Sequence, residues 1–175
     1  MTEDTTPQIY VACLAAYNNG KLHGTWIDCN QEAEVIWEEI NEMLIESPEP
    51  EAEEWAIHDS ENWQGIQISE YENIKRLAEL AQMLAEHGKA FAVYYRYYGN
   101  DTNVEDFTEH YLGEYKSEED FVYEQWQEDG RLDQLKKLGV TDSYIDWKAI
   151  ATDWFIDSYY SVNVSFERVY VFSRQ

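Results

Sequence analysis

The chain has 175 residues, 44% of them hydrophobic and 15% aromatic, and carries 36 Asp plus Glu against 12 Lys plus Arg, a formal net charge of -24. Its 7 Trp and 14 Tyr exclude a disordered acidic tail, which lacks the apolar surface needed to fold, and no apolar run approaches the roughly 18 to 20 residues of a membrane-spanning helix. So large a negative charge costs stability through self-repulsion, repels nucleic acid and anionic membranes, and selects basic surfaces as partners.

The opening residues Met1 to Gln8 have neither the basic start nor the apolar core of a signal peptide, which predicts a cytoplasmic protein. Gln8 to Leu14 is β-branched and apolar enough for a mostly buried strand. Asn18-Asn19-Gly20 marks a turn, and Leu22 to Asp28 supplies a second strand, so the two predict a hairpin-like pair. Cys13 and Cys29 lie in these apolar contexts and are expected to be buried free thiols. Asn30 is placed to cap a helix running to about Glu46, with Ala33, Ile36, Trp37, Ile40, Met43 and Leu44 as its core face. Glu38, Glu39, Glu42 and Glu46 gather on the other side. A solvated helix face normally intersperses lysines, and this one has none, although Glu38 with Glu42 and Glu42 with Glu46 are like-charge pairs each costing about 0.2–0.5 kcal/mol. From Leu22 to Ile74 there is no Lys or Arg at all, against fifteen carboxylates. Pro48 and Pro50 break the chain before a third strand at about Trp55 to His58. His58 stands beside Asp59, but without a Ser or Cys nucleophile in a recognisable motif the pair does not make a catalytic dyad.

Ser69 and Glu72 have capping-box spacing, which predicts a helix to about Glu86 that stops at Gly88. Tyr71, Ile74, Leu77, Ala78, Leu80, Ala81 and Leu84 form its core face. Its outer face mixes Glu72, Lys75, Arg76 and Glu79, an ordinary balanced surface, so the acidic bias is local and not uniform. Lys89 to Tyr98 suits helix or strand by pattern; the breakers Gly88 and Gly99 favour helix. Asp101, Asn103 and Glu105 alternate like calcium ligands within the loop from Asn100 to Asn103, yet Asp106 stands where an EF-hand needs glycine and Leu112 where it needs a bidentate acid, so no metal or other cofactor is expected. A short helix, Val104 to about Tyr111, follows.

Ser117 caps a further predicted helix on which Asp120, Glu124 and Glu128 form an i, i+4, i+8 column opposite Val122 and Trp126. Leu132 to Leu138 is one more short helix, ended by Gly139. Ser143 with Asp146 comes close to a capping box for a helix from about Tyr144 to Phe155, whose apolar arc is Tyr144, Trp147, Ile150, Ala151, Trp154 and Phe155. Asp146, Asp153 and, if the last turn persists, Asp157 stand opposite. Ser161 to Phe172 alternates well enough for one or two strands, with Val162, Val164, Phe166, Val169 and Val171 as candidates. Pattern alone gives an α+β chain with an N-terminal β-β-α-β unit, a helical middle and a helix-then-strand end.

Ile9 to Leu14 followed by Tyr17-Asn18-Asn19-Gly20, Leu22, Gly24 and Trp26, then Glu54 to Asp59, and later Tyr144 to Trp147 with Asp153, resembles the ArdA family of antirestriction proteins over nearly the whole chain. The resemblance implies a non-enzymatic mimic of B-form DNA that occupies the DNA-binding groove of type I restriction-modification enzymes. It further implies an elongated homodimer of three-domain chains joined through the C-terminal domain, here divided at 1–62, 63–112 and 113–175. The phosphate-mimicking acids would be Glu38, Glu39, Glu42 and Glu46 on one surface, and Asp120, Glu124, Glu128, Asp146, Asp153 and Asp157 on another.

Two other classes fit part of the pattern. An acidic immunity-type inhibitor of one nuclease toxin would share the size and charge but concentrate its affinity in a few hot-spot residues. A glycoside hydrolase would need paired acids about 5–10 Å apart with one raised pKa, whereas the acids here fall on helix faces opposite the aromatics.

Overall fold

A computed structural model describes residues 4–99 and 103–174. The fold is mixed α+β, with eight α-helices among the described residues and two antiparallel three-stranded sheets, one toward each end of the chain. The chain gathers into two compact units, Met1–Val104 and Glu105–Gln175.

In the first unit, β1 (Gln8–Cys13) is the central strand, flanked by β2 (Gly24–Asp28) and β3 (Trp55–Glu61) in the order β2-β1-β3. The expected pairing of the first two strands is present, with Gln8 opposite Asp28 and Ala12 opposite Gly24. Gly24 is required there, because a Cβ would lie 2.3 Å from the Val11 carbonyl oxygen and 2.8 Å from the Tyr10 ring. The connection is more than a turn: α1 (Leu14–Asn18) occupies its start. Tyr10 pairs with Asp59 but Val11 pairs with Ile57, so His58 is the extra residue of a bulge. Ile9, Val11, Cys13, Ile27, Ala56 and Ile57 are buried, as are Ile36, Ile40 and Met43 of α2 (Ala33–Ile45), which packs on β1 and β2.

That helix starts later than expected. Asn30 does not cap it; its backbone N–H instead bonds the Asp28 carboxylate at 2.8 Å in a local turn, and Glu32 takes the N-cap position with no side-chain bond. Trp37, expected in the core, is 44% exposed and meets Trp55 edge-on. The next helix is corrected likewise: α3 (Ile74–His87) is capped by Asn73, whose side chain accepts from the Arg76 N–H. Ser69 and Glu72 close a turn ahead of it, with the Ser69 N–H donating to Glu72 Oε1 at 3.2 Å. Tyr71 therefore lies outside the helix and is 68% exposed, while Ile74, Leu77, Ala78, Leu80, Ala81 and Leu84 are buried as expected. Lys89–Tyr98 is helical (α4), between Gly88 and Gly99, whose positive φ values end each turn. Of the loop at Asn100 to Asn103 only Asn103 is described, and of the alternating residues Asp101, Asn103 and Glu105 only Asp101 lies outside the described residues.

In the second unit α5 (Val104–His110, its first residue closing the first unit) leads into β4 (Tyr111–Tyr115), a strand the pattern did not predict. Then come α6 (Glu118–Glu128), α7 (Arg131–Lys137), a 3-10 turn at Asp142–Tyr144, α8 (Trp147–Asp157), β5 (Tyr159–Ser165) and β6 (Arg168–Ser173). The strand order is β4-β6-β5, so the last hairpin closes on β4 from far back in sequence. Ser117 caps α6 as expected, accepting from the Asp120 N–H at 3.0 Å. Ser143 does not cap α8. Its hydroxyl pairs with that of Thr141, and Asp146 is itself the N-cap, accepting from the Ala149 N–H at 3.0 Å. Tyr144 consequently falls before the helix and is 79% exposed. Phe166, a candidate strand residue, sits in the β5–β6 turn and is 90% exposed.

Candidate functional site

An aromatic core anchors the acidic helices of the second unit. Phe121 of α6 is buried, with ring centroids of Tyr115, Tyr159, Phe155 and Trp154 at 4.9, 5.0, 5.9 and 6.4 Å. Trp147 of α8 lies edge-on to both Tyr123 and Trp126 of α6. Burying side chains of this size is worth roughly 1.5–3 kcal/mol each, and edge-to-face pairs add about 0.5–1.5 kcal/mol. The inner faces of α6 and α8 are thus fixed, and with them the direction of the outer ones.

On α6, Asp120, Glu124 and Glu128 recur every fourth residue, about 6 Å apart along the axis. They interact. Partial burial raises the carboxyl pKa of Glu124, the negative charges of Asp120 and Glu128 raise it further, and Lys116 partly offsets them. Tyr115, which the sequence did not single out, stands beside this column: burial raises its phenol first, then Glu124, Glu128 and Asp120 add to the shift. No pattern in the sequence marks it, because β4 was not legible. On α8 the three aspartates have different situations. Asp146 spends one carboxylate oxygen on the cap, while Asp153 and Asp157 are exposed on the last two turns. Asp157 also ends the helix, where a negative charge opposes the macrodipole.

In the first unit Glu38, Glu42 and Glu46 are exposed along α2, and Glu46 is its C-cap, again at the unfavourable end of the dipole. Glu39 differs. It is partly buried and accepts a hydrogen bond from Gln31 Nε2.

The cations that form ion pairs do so with other acids. Among the described residues Lys21 pairs with Glu49 at 2.9 Å, Arg131 with Asp129 at 3.0 Å and Arg168 with Glu114. None of the ten candidate carboxylates has an ion-pair partner there. His58 and Asp59 make no dyad: the His58 ring meets Tyr17 edge-on at 4.8 Å, and Asp59 Oδ1 accepts from the Ser60 N–H. Cys13 and Cys29 are buried and free, and burial, helped by Asp28 and Glu39, pushes the Cys29 thiol up to about 12. No helix among the described residues is long and apolar enough to cross a membrane.

Fold and surface together define a small acidic α+β protein that carries rows of carboxylates without ion-pair partners among the described residues. The family model described as antirestriction protein (ArdA) matches residues 9–168, nearly the whole chain. The chain belongs to the ArdA family of antirestriction proteins, which are non-enzymatic inhibitors of restriction systems. No curated protein matches it.

Proposed function

We propose that this antirestriction protein works as a mimic of B-form DNA, competing for the DNA-binding groove of type I restriction-modification enzymes. The observation that carries it is the Asp120–Glu124–Glu128 column, three mutually repelling carboxylates held by a buried aromatic core with no ion-pair partner among the described residues. A cationic partner would relieve that repulsion and gain affinity from it. Glu38, Glu39, Glu42 and Glu46 supply a second face, and Asp146, Asp153 and Asp157 extend the first.

Magnitudes agree with a duplex. B-DNA carries one charge per roughly 1.7 Å of axis, so a net charge of -24 corresponds to about 40 Å, and a homodimer joined through residues 113–175 to about 80 Å, some two dozen base pairs. The division at 1–62, 63–112 and 113–175 belongs to the same proposal. Rigid helices reduce the ordering cost of binding, and Lys and Arg in the enzyme's groove supply the attraction. Inhibition is by occupancy: no bond is made or broken.

Competition tests it directly. Near-stoichiometric protein is expected to displace a labelled duplex from a type I methyltransferase core, and reversal of Asp120, Glu124 and Glu128 together to Lys is expected to weaken displacement strongly, whereas neutralising any one of them barely changes it. Failure of the wild-type protein to displace DNA rejects the mimic. Full activity of the triple reversal removes α6 from its surface.

A further inference from the structure

Leu14, Glu53, Glu54, Trp55, Tyr71 and Glu72 line an open groove in the first unit. Its walls are held by main-chain bonds: the Leu14 N–H donates to the Glu54 carbonyl at 3.0 Å, and the Ile57 N–H donates to the Glu70 carbonyl at 2.9 Å. These bonds fasten the segment carrying Tyr71 and Glu72 beside the strand carrying Trp55. Trp55 is further steadied by Trp37, edge-on at 5.6 Å, and Glu72 by the Ser69 N–H. Tyr71 lines the groove with 68% of its surface open, although its place in the apolar pattern suited it to a core. Every lining residue but Leu14 lies between Leu22 and Ile74, where no lysine or arginine occurs.

We propose that this groove captures one arginine side chain of a basic protein partner. Aromatic faces attract cations through their quadrupole, and a guanidinium, planar and weakly hydrated, stacks on them better than a compact ammonium does. Carboxylates at the rim accept its N–H groups, in pairs where geometry allows. The groove therefore does something a row of exposed acids cannot: it distinguishes arginine from lysine and fixes where one partner residue sits. This rests on the basic-groove partner of the proposed function and names an anchor within it.

The test uses the full chain and four blocked peptides: tetra-arginine, tetra-lysine, neutral tetra-citrulline and tetra-glutamate. In an amide and indole NMR titration at low salt, tetra-arginine is expected to saturate the Trp55 indole N–H shift at a several-fold lower concentration than tetra-lysine, with no saturation by the other two. Tyr71→Ala, at an exposed position that does not endanger folding, is expected to weaken that binding about tenfold and to erase the preference for arginine. Glu53→Gln with Glu54→Gln is expected to weaken arginine and lysine alike. Equal shifts by arginine and lysine spread over every acidic face, or a Tyr71→Ala titration indistinguishable from wild type, overturns the groove as a site. The two readings fail separately: DNA displacement with an unselective groove rejects only the anchor, and an arginine-selective groove without DNA displacement rejects only the mimic.

Discussion

Glu124 is the acid of the α6 column whose titration records the crowding of charge around it. Its carboxyl pKa is raised by burial first, then by Asp120 and Glu128, so the folded protein holds its proton to higher pH than the unfolded chain does. Stability therefore falls as pH rises through the window between the unfolded value and the raised folded one, and the penalty is fully present at neutral pH. Glu124→Gln is expected to raise the thermal midpoint at pH 7, through about 0.4–1 kcal/mol of added stability if the two like-charge neighbours act as they do in isolated helices, and to change nothing near pH 3, where the wild-type residue is already protonated. Thermal unfolding at both pH values measures this; equal midpoints at pH 7 would mean that solvent screens the column completely. Cys29 is the opposite case, a group whose environment silences it. Its thiol is pushed up to about 12 and is buried, which makes it a core residue and not a nucleophile.

Among the elements, α8 separates structure from charge most cleanly, because Asp146 has two roles at once. It caps the helix through Ala149, and its charge stands at the edge of a proposed binding face. Asn caps as well as Asp but is neutral, and Ala does neither. Asp146→Ala is expected to cost about 1 kcal/mol of stability, while Asp146→Asn keeps stability within a few tenths of a kcal/mol and lowers affinity for the restriction enzyme only slightly. Chemical denaturation of the two variants gives the first comparison and competition with DNA the second. An Asn variant as unstable as the Ala variant would show that the charge at the helix N-terminus, and not the cap bond, holds α8. On α2 the balance differs, since Glu32 caps without a side-chain bond and Glu46 opposes the dipole, leaving burial of Ile36, Ile40 and Met43 to hold the helix.

For the molecule as a whole, the net charge of -24 and the proposed mimicry together predict that added salt acts in opposite directions on folding and on inhibition. Screening over a Debye length of about 10 Å at 0.1 M relieves self-repulsion, so the unfolding midpoint is expected to rise with sodium chloride. The same screening would weaken attraction to the proposed basic groove, so the amount of protein needed to displace DNA is expected to rise as well. Thermal melts and competition curves over one salt series test both; inhibition indifferent to salt would point to an apolar interface.

Composition and periodicity were enough to establish an acidic α+β protein and nearly every helix, because burial at 3.6-residue spacing is a local pattern that Ile74 to Leu84 or Ile36 to Met43 display without knowing their partners. The α6 column was equally legible, being four-residue spacing on one helix behind a Ser117 cap. Tertiary structure decided what depends on non-local contact. Which of several adjacent polar residues caps a helix was settled by packing, as Asn73 over Ser69 and Asp146 over Ser143 illustrate, since each candidate offers a similar oxygen and the buried face fixes where the first turn begins. β4 was invisible because five residues interrupted by Gly113 become a strand only when β6, more than fifty residues later, supplies the hydrogen-bonding edge. Tyr71 and Trp55 come to line one groove for the same reason: their segments are joined by a backbone bond that no spacing in the chain announces.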